Sequence, residues 1–332
     1  MELGGPLGPR SLPTMRPEPH AITYLRLSVT DRCDMRCAYC LPYRNAVAHA
    51  PSVLSPEEIA LLVEALARNG ITKVRLTGGE PLIRPDVVGI VRSIAHAPGI
   101  ATVGLTTNGV RLEEMASDLA SAGLQIVNIS LDTLNPDTFR RITGCDALDD
   151  VVRGIRAAAR CGFEKVKLNT VVMRGVNESE LPAIADIARR LPVEVRFIEL
   201  MPLGHSSAQW RAMYVPASQI RQMLGDLEPL PYERGSSARR YGLARGGGVV
   251  GIISPMSESF CGHCNRIRVT CSGKLKPCLR LAVEEDLRPL LDAPDLASRL
   301  DVLINRLSRH KLRGPSPSSS AVQAEAMCAV GG

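Results

Sequence analysis

An α/β fold built on a partial (β/α)6 barrel, with a smaller cysteine-bearing C-terminal segment, is the architecture this sequence predicts. Three observations lead there. Between residues 23 and 198, strand-like and helix-like runs alternate six times, joined by short loops. Such alternation favours a parallel sheet with crossover helices, and right-handed crossovers curl it toward a barrel. Beyond Met201 the regularity fades, and a second group of cysteines follows. Apolar residues make up 45% of the 332, enough for a large core, but aromatics are only 3%, so that core must be Leu, Ile, Val and Ala.

Residues Met1–His20 hold five prolines and no apolar stretch of signal type, so a disordered lead-in is expected there. Tyr24–Val29 is a short apolar strand. Ser55-Pro56-Glu57-Glu58 opens a helix, with Ser as N-cap, Pro at the first position and acids against the dipole. That helix runs Ile59–Ala67 and stops at Asn69-Gly70. Strands are then expected at Lys73–Leu76, Thr102–Leu105, Ile126–Leu131, Lys165–Val172 and Val193–Ile198. The intervening helices are expected at Pro85–Ala95, Glu113–Ala122, Leu148–Ala159 and Ser179–Ala188. Pro231–Gly248, rich in Gly, Ser and Arg, reads as a linker. Residues 21–245 are therefore read as the barrel, 246–332 as a separate subdomain, and the Ser/Pro-rich 315–321 as the start of a flexible tail.

Composition narrows the function. No apolar run is long enough to span a bilayer, so no membrane partner is expected. Ten cysteines without an export signal point to metal binding in a reducing cytoplasm. A net charge of +6 suits an anionic small molecule. Nucleic acid is not expected, since there is no lysine-rich tract and little aromatic interleaving.

The chemistry sits in four motifs. Cys33, Cys37 and Cys40 are spaced C-x3-C-x2-C just after the first strand. Three thiolates on a four-iron cluster leave one iron open to substrate, whereas structural zinc usually takes four ligands; zinc with a distant fourth ligand, or buried thiols, stay open. Thr77-Gly78-Gly79-Glu80-Pro81-Leu82 follows the second strand, and its glycines let backbone approach a ligand or simply make a tight turn. Cys261, Cys264 and Cys278 form C-x2-C-x13-C, with Cys271 or His263 available for a four-ligand zinc site. Arg266 and Arg268 alternate, so an extended segment points both to one side, suiting a polyphosphate or a solvated stripe. In barrels of this kind functional groups gather at the strand C-terminal ends, and all these motifs are expected there.

The first cysteine motif is the signature of the radical S-adenosylmethionine (SAM) superfamily, and its flank Leu25-Arg26-Leu27-Ser28-Val29-Thr30-Asp31-Arg32 resembles the GTP 3′,8-cyclase family, also called molybdenum cofactor biosynthesis protein A. Supporting runs include Lys73–Asp86, Leu105–Gly109, Asn128–Leu134, Leu168–Asn177 and Val195–Gly204. The resemblance implies a TIM-type partial barrel, the radical SAM core, with a C-terminal Fe–S subdomain. It implies two 4Fe–4S clusters, on Cys33, Cys37 and Cys40 and on Cys261, Cys264 and Cys278, the second facing the guanine of GTP. Cys271 falls outside that pattern. It implies SAM bound by Tyr39, Gly79, Ser130 and Met201, and GTP bound by Arg26, Arg75, Thr106, Lys167, Arg266 and Arg268. Lys73, Arg196 and Lys276 are additional candidates. The terminal Gly331 and Gly332 match a double glycine that aids catalysis. The implied reaction cleaves SAM reductively to a 5′-deoxyadenosyl radical, which takes the C3′ hydrogen of GTP; the new radical attacks C8, and reduction gives (8S)-3′,8-cyclo-7,8-dihydroguanosine 5′-triphosphate. Implied partners are a reductant such as flavodoxin or ferredoxin and the next enzyme, molybdenum cofactor biosynthesis protein C (cyclic pyranopterin monophosphate synthase); a homodimer stays open. The alternative is another radical SAM enzyme with an auxiliary cluster, such as a peptide-modifying one. Asp34 departs from the family, which often has Asn there.

Overall fold

The structure, a computed structural model, describes residues 21–40, 52–203, 209–233, 235–244 and 246–312. The six expected β/α units are present. β1 (Tyr24–Ser28) leads into the first cysteine loop, and α1 (Pro56–Arg68) follows. Ser55 caps α1 in a closed box: its hydroxyl accepts from Glu58 N at 3.1 Å, and the Glu58 carboxylate accepts from Ser55 N at 2.7 Å. Next come β2 (Lys73–Thr77), α2 (Val87–Ala95), β3 (Thr102–Thr107), α3 (Leu112–Ser121) and β4 (Ile126–Ser130).

Between β4 and α5 (Leu148–Arg160) lies α4 (Pro136–Thr143), which the sequence pattern did not indicate. It is one short helix with two apolar anchors, Phe139 and Ile142, too few to make a period. Its ends are nevertheless well marked. Asn135 Oδ1 accepts from Asp137 N and Thr138 N, both at 3.0 Å, and Gly144 closes the helix at φ 75°. β5 (Lys165–Val172) follows. The single helix expected at Ser179–Ala188 is instead a 3-10 turn (Glu178–Glu180), α6 (Leu181–Ala185) and α7 (Ile187–Arg190), before β6 (Glu194–Glu199).

The remainder comprises α8 (Trp210–Met213), α9 (Ala217–Leu224), β7 (Leu227–Pro229), β8 (Ala238–Leu243), β9 (Val249–Ile253), β10 (Arg266–Val269), β11 (Lys274–Lys276), β12 (Glu285–Asp286) and α10 (Leu296–Leu312). The stretch read as a linker, Pro231–Gly248, thus contains β8, which pairs antiparallel with both β7 and β9. Its polar residues belong to a strand near the sheet edge, where alternation is weak. All strands join one sheet in the order β12-β11-β10-β1-β2-β3-β4-β5-β6-β9-β8-β7. From β10 through β9 the pairing is parallel, and among the described residues the sheet does not close on itself.

Alternation along the strands gives the sheet two chemically distinct faces. Leu25 and Leu27, Val74 and Leu76, Val127 and Ile129, and Val195 and Phe197 are buried in one core with α1–α6. The alternate residues are Arg26, Arg75, Asn128, Lys167, Arg196 and Arg268. They line one cavity together with residues from β3 and β9, so the sheet is curled around a polar lumen.

A candidate active site in the barrel lumen

The lumen is a cavity of about 510 Å³. Its upper end is built at the C-terminal ends of the strands. There the first cysteine loop meets the glycine turn after β2. Gly79 N donates to Thr30 O and Glu80 N to Arg32 O, both at 2.8 Å. A Cβ on Gly78 would lie 2.4 Å from Thr30 O, and one on Gly79 only 1.9 Å from Arg32 O. The glycines are therefore required for the turn to approach the cysteine loop itself, and Gly79 still lines the cavity.

Three links, the second of them exposed, tie this end together. Glu80 accepts from Leu82 N at 2.9 Å, Thr107 Oγ1 at 2.8 Å and Asn108 N at 2.6 Å. Burial nevertheless pushes its carboxyl up to about 7. Asn108 Nδ2 donates to Asp34 Oδ1 at 2.6 Å, so Asp34 still anchors the cysteine loop. Tyr39 donates its hydroxyl to Asp132 Oδ2 at 2.7 Å, and Asp132 Oδ1 accepts from Val171 N at 2.8 Å. Ser130 and Met201 line the same end.

The second cysteine group lies at the opposite end, which corrects the expectation that every motif sits at the strand C-termini. β10 runs parallel to β1, with Arg266 opposite Tyr24 and Arg268 opposite Arg26. Cys261 and Cys264 precede β10, and Asn265 O accepts from Thr23 N at 3.1 Å, before β1 begins. Cys278 follows β11, which is antiparallel to β10, and so returns to that same end. All six cysteines line the one cavity.

Among the described residues, no three His, Cys, Asp or Glu side chains gather around a single-ion position. A cubane fits the donor set better, because it spreads three thiolates over three separate irons. Burial opposes ionisation of Cys264, but Arg266 and Lys311 outweigh it and hold its thiol below the ordinary value, whereas burial and then Asp132 push the Cys37 thiol well above it. Lys311 comes from α10 and donates to Arg266 O at 2.5 Å. Cys271 is buried and His263 stands beside Tyr232; neither lines the cavity.

Between the two ends the lumen is cationic. Arg26, Lys73, Arg75, Lys167, Arg196, Arg266 and Arg268 all line it. Gly104, beside Arg75 in the register, makes room: a Cβ there would lie 2.9 Å from the Arg75 guanidinium. Burial, then Arg268, depress Arg26, and burial, then Arg196, bring Lys167 down to about 7. Such mutual repulsion is what a bound polyanion relieves. Thr106 Oγ1, Asn128 Oδ1 and Asn169 Oδ1 are buried on this lining with no hydrogen-bond partner among the described residues, so they are placed to meet a ligand.

One sequence-derived assignment falls elsewhere, and another cannot be placed on the described residues. Lys276 is buried off the cavity, with Nζ 3.1 Å from Glu284 Oε2. Gly331 and Gly332 lie outside the described residues. Tyr24, Asn128 and Asn169 were not singled out from the sequence, although each stands two positions from a residue that was. Lys311 gave no signal, being one cation in a helix that docks only in three dimensions.

Two family models cover most of the chain: Radical SAM superfamily over residues 27–188 and Molybdenum Cofactor Synthesis C over residues 193–315. A GTP 3′,8-cyclase of Moorella thermoacetica is 43% identical over 94% of this chain and 98% of its own length. That of Gloeobacter violaceus is 44% identical over 88% and 92%. The chain belongs to the GTP 3′,8-cyclase family. It is therefore a radical SAM enzyme, with SAM and 4Fe–4S clusters as the family's cofactors. The fold is likewise similar to Streptococcus suis SuiB, solved bound to S-adenosylmethionine, with a TM-score of 0.61 and 13% identity over 85% of this chain and 68% of that one. The open α/β sheet is thus a radical SAM fold, a partial TIM-type barrel.

Proposed function

We propose that this chain converts GTP to (8S)-3′,8-cyclo-7,8-dihydroguanosine 5′-triphosphate, the first step of molybdenum cofactor biosynthesis. The observation that carries the reading is one cationic lumen joining two three-cysteine groups at opposite ends. Cys33, Cys37 and Cys40 would hold the SAM-binding cluster, and Cys261, Cys264 and Cys278 the cluster facing guanine. When bound, the first cluster and SAM supply the one-electron cleavage that starts hydrogen abstraction.

The chain's own residues position and insulate. Tyr39, Gly79, Ser130 and Met201 hold SAM at the upper end. Arg26, Arg75, Lys167, Arg266 and Arg268 grip the triphosphate, with Lys73 and Arg196 adding charge and Thr106 a hydroxyl. Guanidinium forks suit this because each meets two phosphate oxygens. Between them the lumen, once filled by both ligands, keeps water from a reactive carbon centre and fixes C3′ against it. Residues 21–245 contribute the SAM end and 246–332 the guanine end, with Gly331 and Gly332 completing the site. A flavodoxin- or ferredoxin-type reductant, hand-over to molybdenum cofactor biosynthesis protein C, a cytoplasmic setting and a homodimer belong to the same proposal. Among the described residues no helix is long and apolar enough to cross a membrane.

The test is titration of anaerobically reconstituted protein with GTP, followed by mass spectrometry of the products. Saturable GTP binding and a cyclised nucleotide that requires SAM are expected. SAM cleavage with no effect of GTP would instead favour the auxiliary-cluster alternative.

A further inference from the structure

Tyr24 carries a second consequence of the cationic lumen. It faces the cavity two residues before Arg26, and its register partners are Lys73 on β2 and Arg266 on β10. Its hydroxyl oxygen accepts from Arg75 Nε at 2.6 Å. The Lys73 ammonium stands 5.0 Å from its ring centre and the Arg266 guanidinium 6.0 Å. The charged groups facing it are Arg26 on its own strand, Lys73 and Arg75 on β2, and Arg266 and Arg268 on β10. All are cations. Buried like charges need compensation: the Cys264 and Cys278 thiols serve Arg268, and Cys264 serves Arg266, whereas beside Lys73 and Arg75 the phenol is placed to supply the negative charge.

We propose that Tyr24 is a positioning residue that acts as an internal counter-anion, orienting Arg75 in the ligand-free lumen and taking up a proton when a polyphosphate brings its own charge. The inference rests on the GTP reading above. Burial opposes ionisation of the phenol, but the field of Arg75, Arg26 and Lys73 outweighs it and brings the hydroxyl to about 7. A triphosphate reverses that field. The phenolate oxygen then binds a proton from solvent, and the Lys167 amine, also near 7, binds another. No bond other than these O–H and N–H bonds forms. The phenol can then hydrogen-bond to phosphate or remain on Arg75.

The test is GTP titration calorimetry on the reconstituted holoenzyme at pH 8, in buffers of different ionisation enthalpy, which counts protons taken up. Wild type should take up about two protons per GTP, Tyr24→Phe about one, and Lys167→Met, with Tyr24 intact, about one, by proton linkage. No uptake by wild type, or undiminished uptake in Tyr24→Phe, overturns the proposal. Should Tyr24→Phe fail to fold, Lys167→Met decides: loss of all uptake there overturns it, and retention of about one proton supports it. Absence of GTP binding by wild type is a different result, and it would remove the GTP reading itself.

Discussion

At the scale of single residues, the most demanding position is Gly79. Its neighbour is not a flexible side chain but the Arg32 carbonyl, 1.9 Å from where a Cβ would stand. Gly79→Ala should therefore displace the cysteine loop without touching the core. The expected result is a folded protein that has lost most of the first group's iron and its release of 5′-deoxyadenosine. Arg266 is the contrasting case, since its side chain lines the lumen and its contact with backbone, Nη2 to Gly235 O, is long at 3.5 Å. Arg266→Ala should weaken GTP binding about 10- to 100-fold, the range for losing a charge-assisted hydrogen bond of roughly 1.5–3 kcal/mol. SAM cleavage without GTP should survive, and calorimetry beside a 5′-deoxyadenosine assay checks both. The cysteines and the Arg-x-Arg pair were legible because their spacing is itself the chemical signal. The role of Gly79 was only half legible. A glycine reports that backbone comes close, but not which backbone.

At the scale of elements, Glu199 shows how the end of one strand can organise the segments after it. It is buried at the end of β6 and accepts from Ala217 N and Met256 N, each at 2.8 Å, from Ser257 N at 3.0 Å and from Tyr214 Oη at 3.1 Å. It thus pins the start of α9 and the loop that carries Cys261 to the barrel. Glu199→Ala leaves several buried donors unpaired, at a cost of about 2–4 kcal/mol. A lowered melting temperature and loss of iron from the second group, with the first retained, are expected by thermal melting and iron analysis. Nothing local marks this residue, because a glutamate closing a strand looks like an exposed polar end. α4 and β8 escaped for related reasons: one is too short to show a period, and the other lies near a sheet edge where polar residues are tolerated.

At the scale of the whole molecule, the two cysteine groups at opposite ends of the lumen should be separable. Cys261→Ser should retain about four irons per chain, against about eight in the reconstituted wild type, following cubane stoichiometry. It should still cleave SAM but form no cyclised nucleotide; Cys33→Ser should lose SAM cleavage altogether. The buried charges set a pH dependence as well. Tyr24 and Lys167 both have folded values near 7, below their ordinary 10.0 and 10.5. Between about pH 7 and 10 the unfolded chain therefore holds more protons, so these groups make the ligand-free protein more stable as pH rises. GTP binding restores those protons, so affinity should be flat below pH 7 and fall above it. Melting temperature and GTP affinity, measured from pH 6.5 to 9, should move in opposite directions.

By itself the sequence determined the ligand chemistry, the two-faced alternation of the strands and the family, because these depend on residue type and short spacing. Only the tertiary structure decided where the second cysteine group sits. That placement depends on β10 pairing parallel to β1, and the Asn265 side chain that donates to Thr23 Oγ1 at 2.7 Å is 242 residues away in the chain. Strand pairing over such a distance is selected by the burial of a whole sheet face, which no local pattern contains.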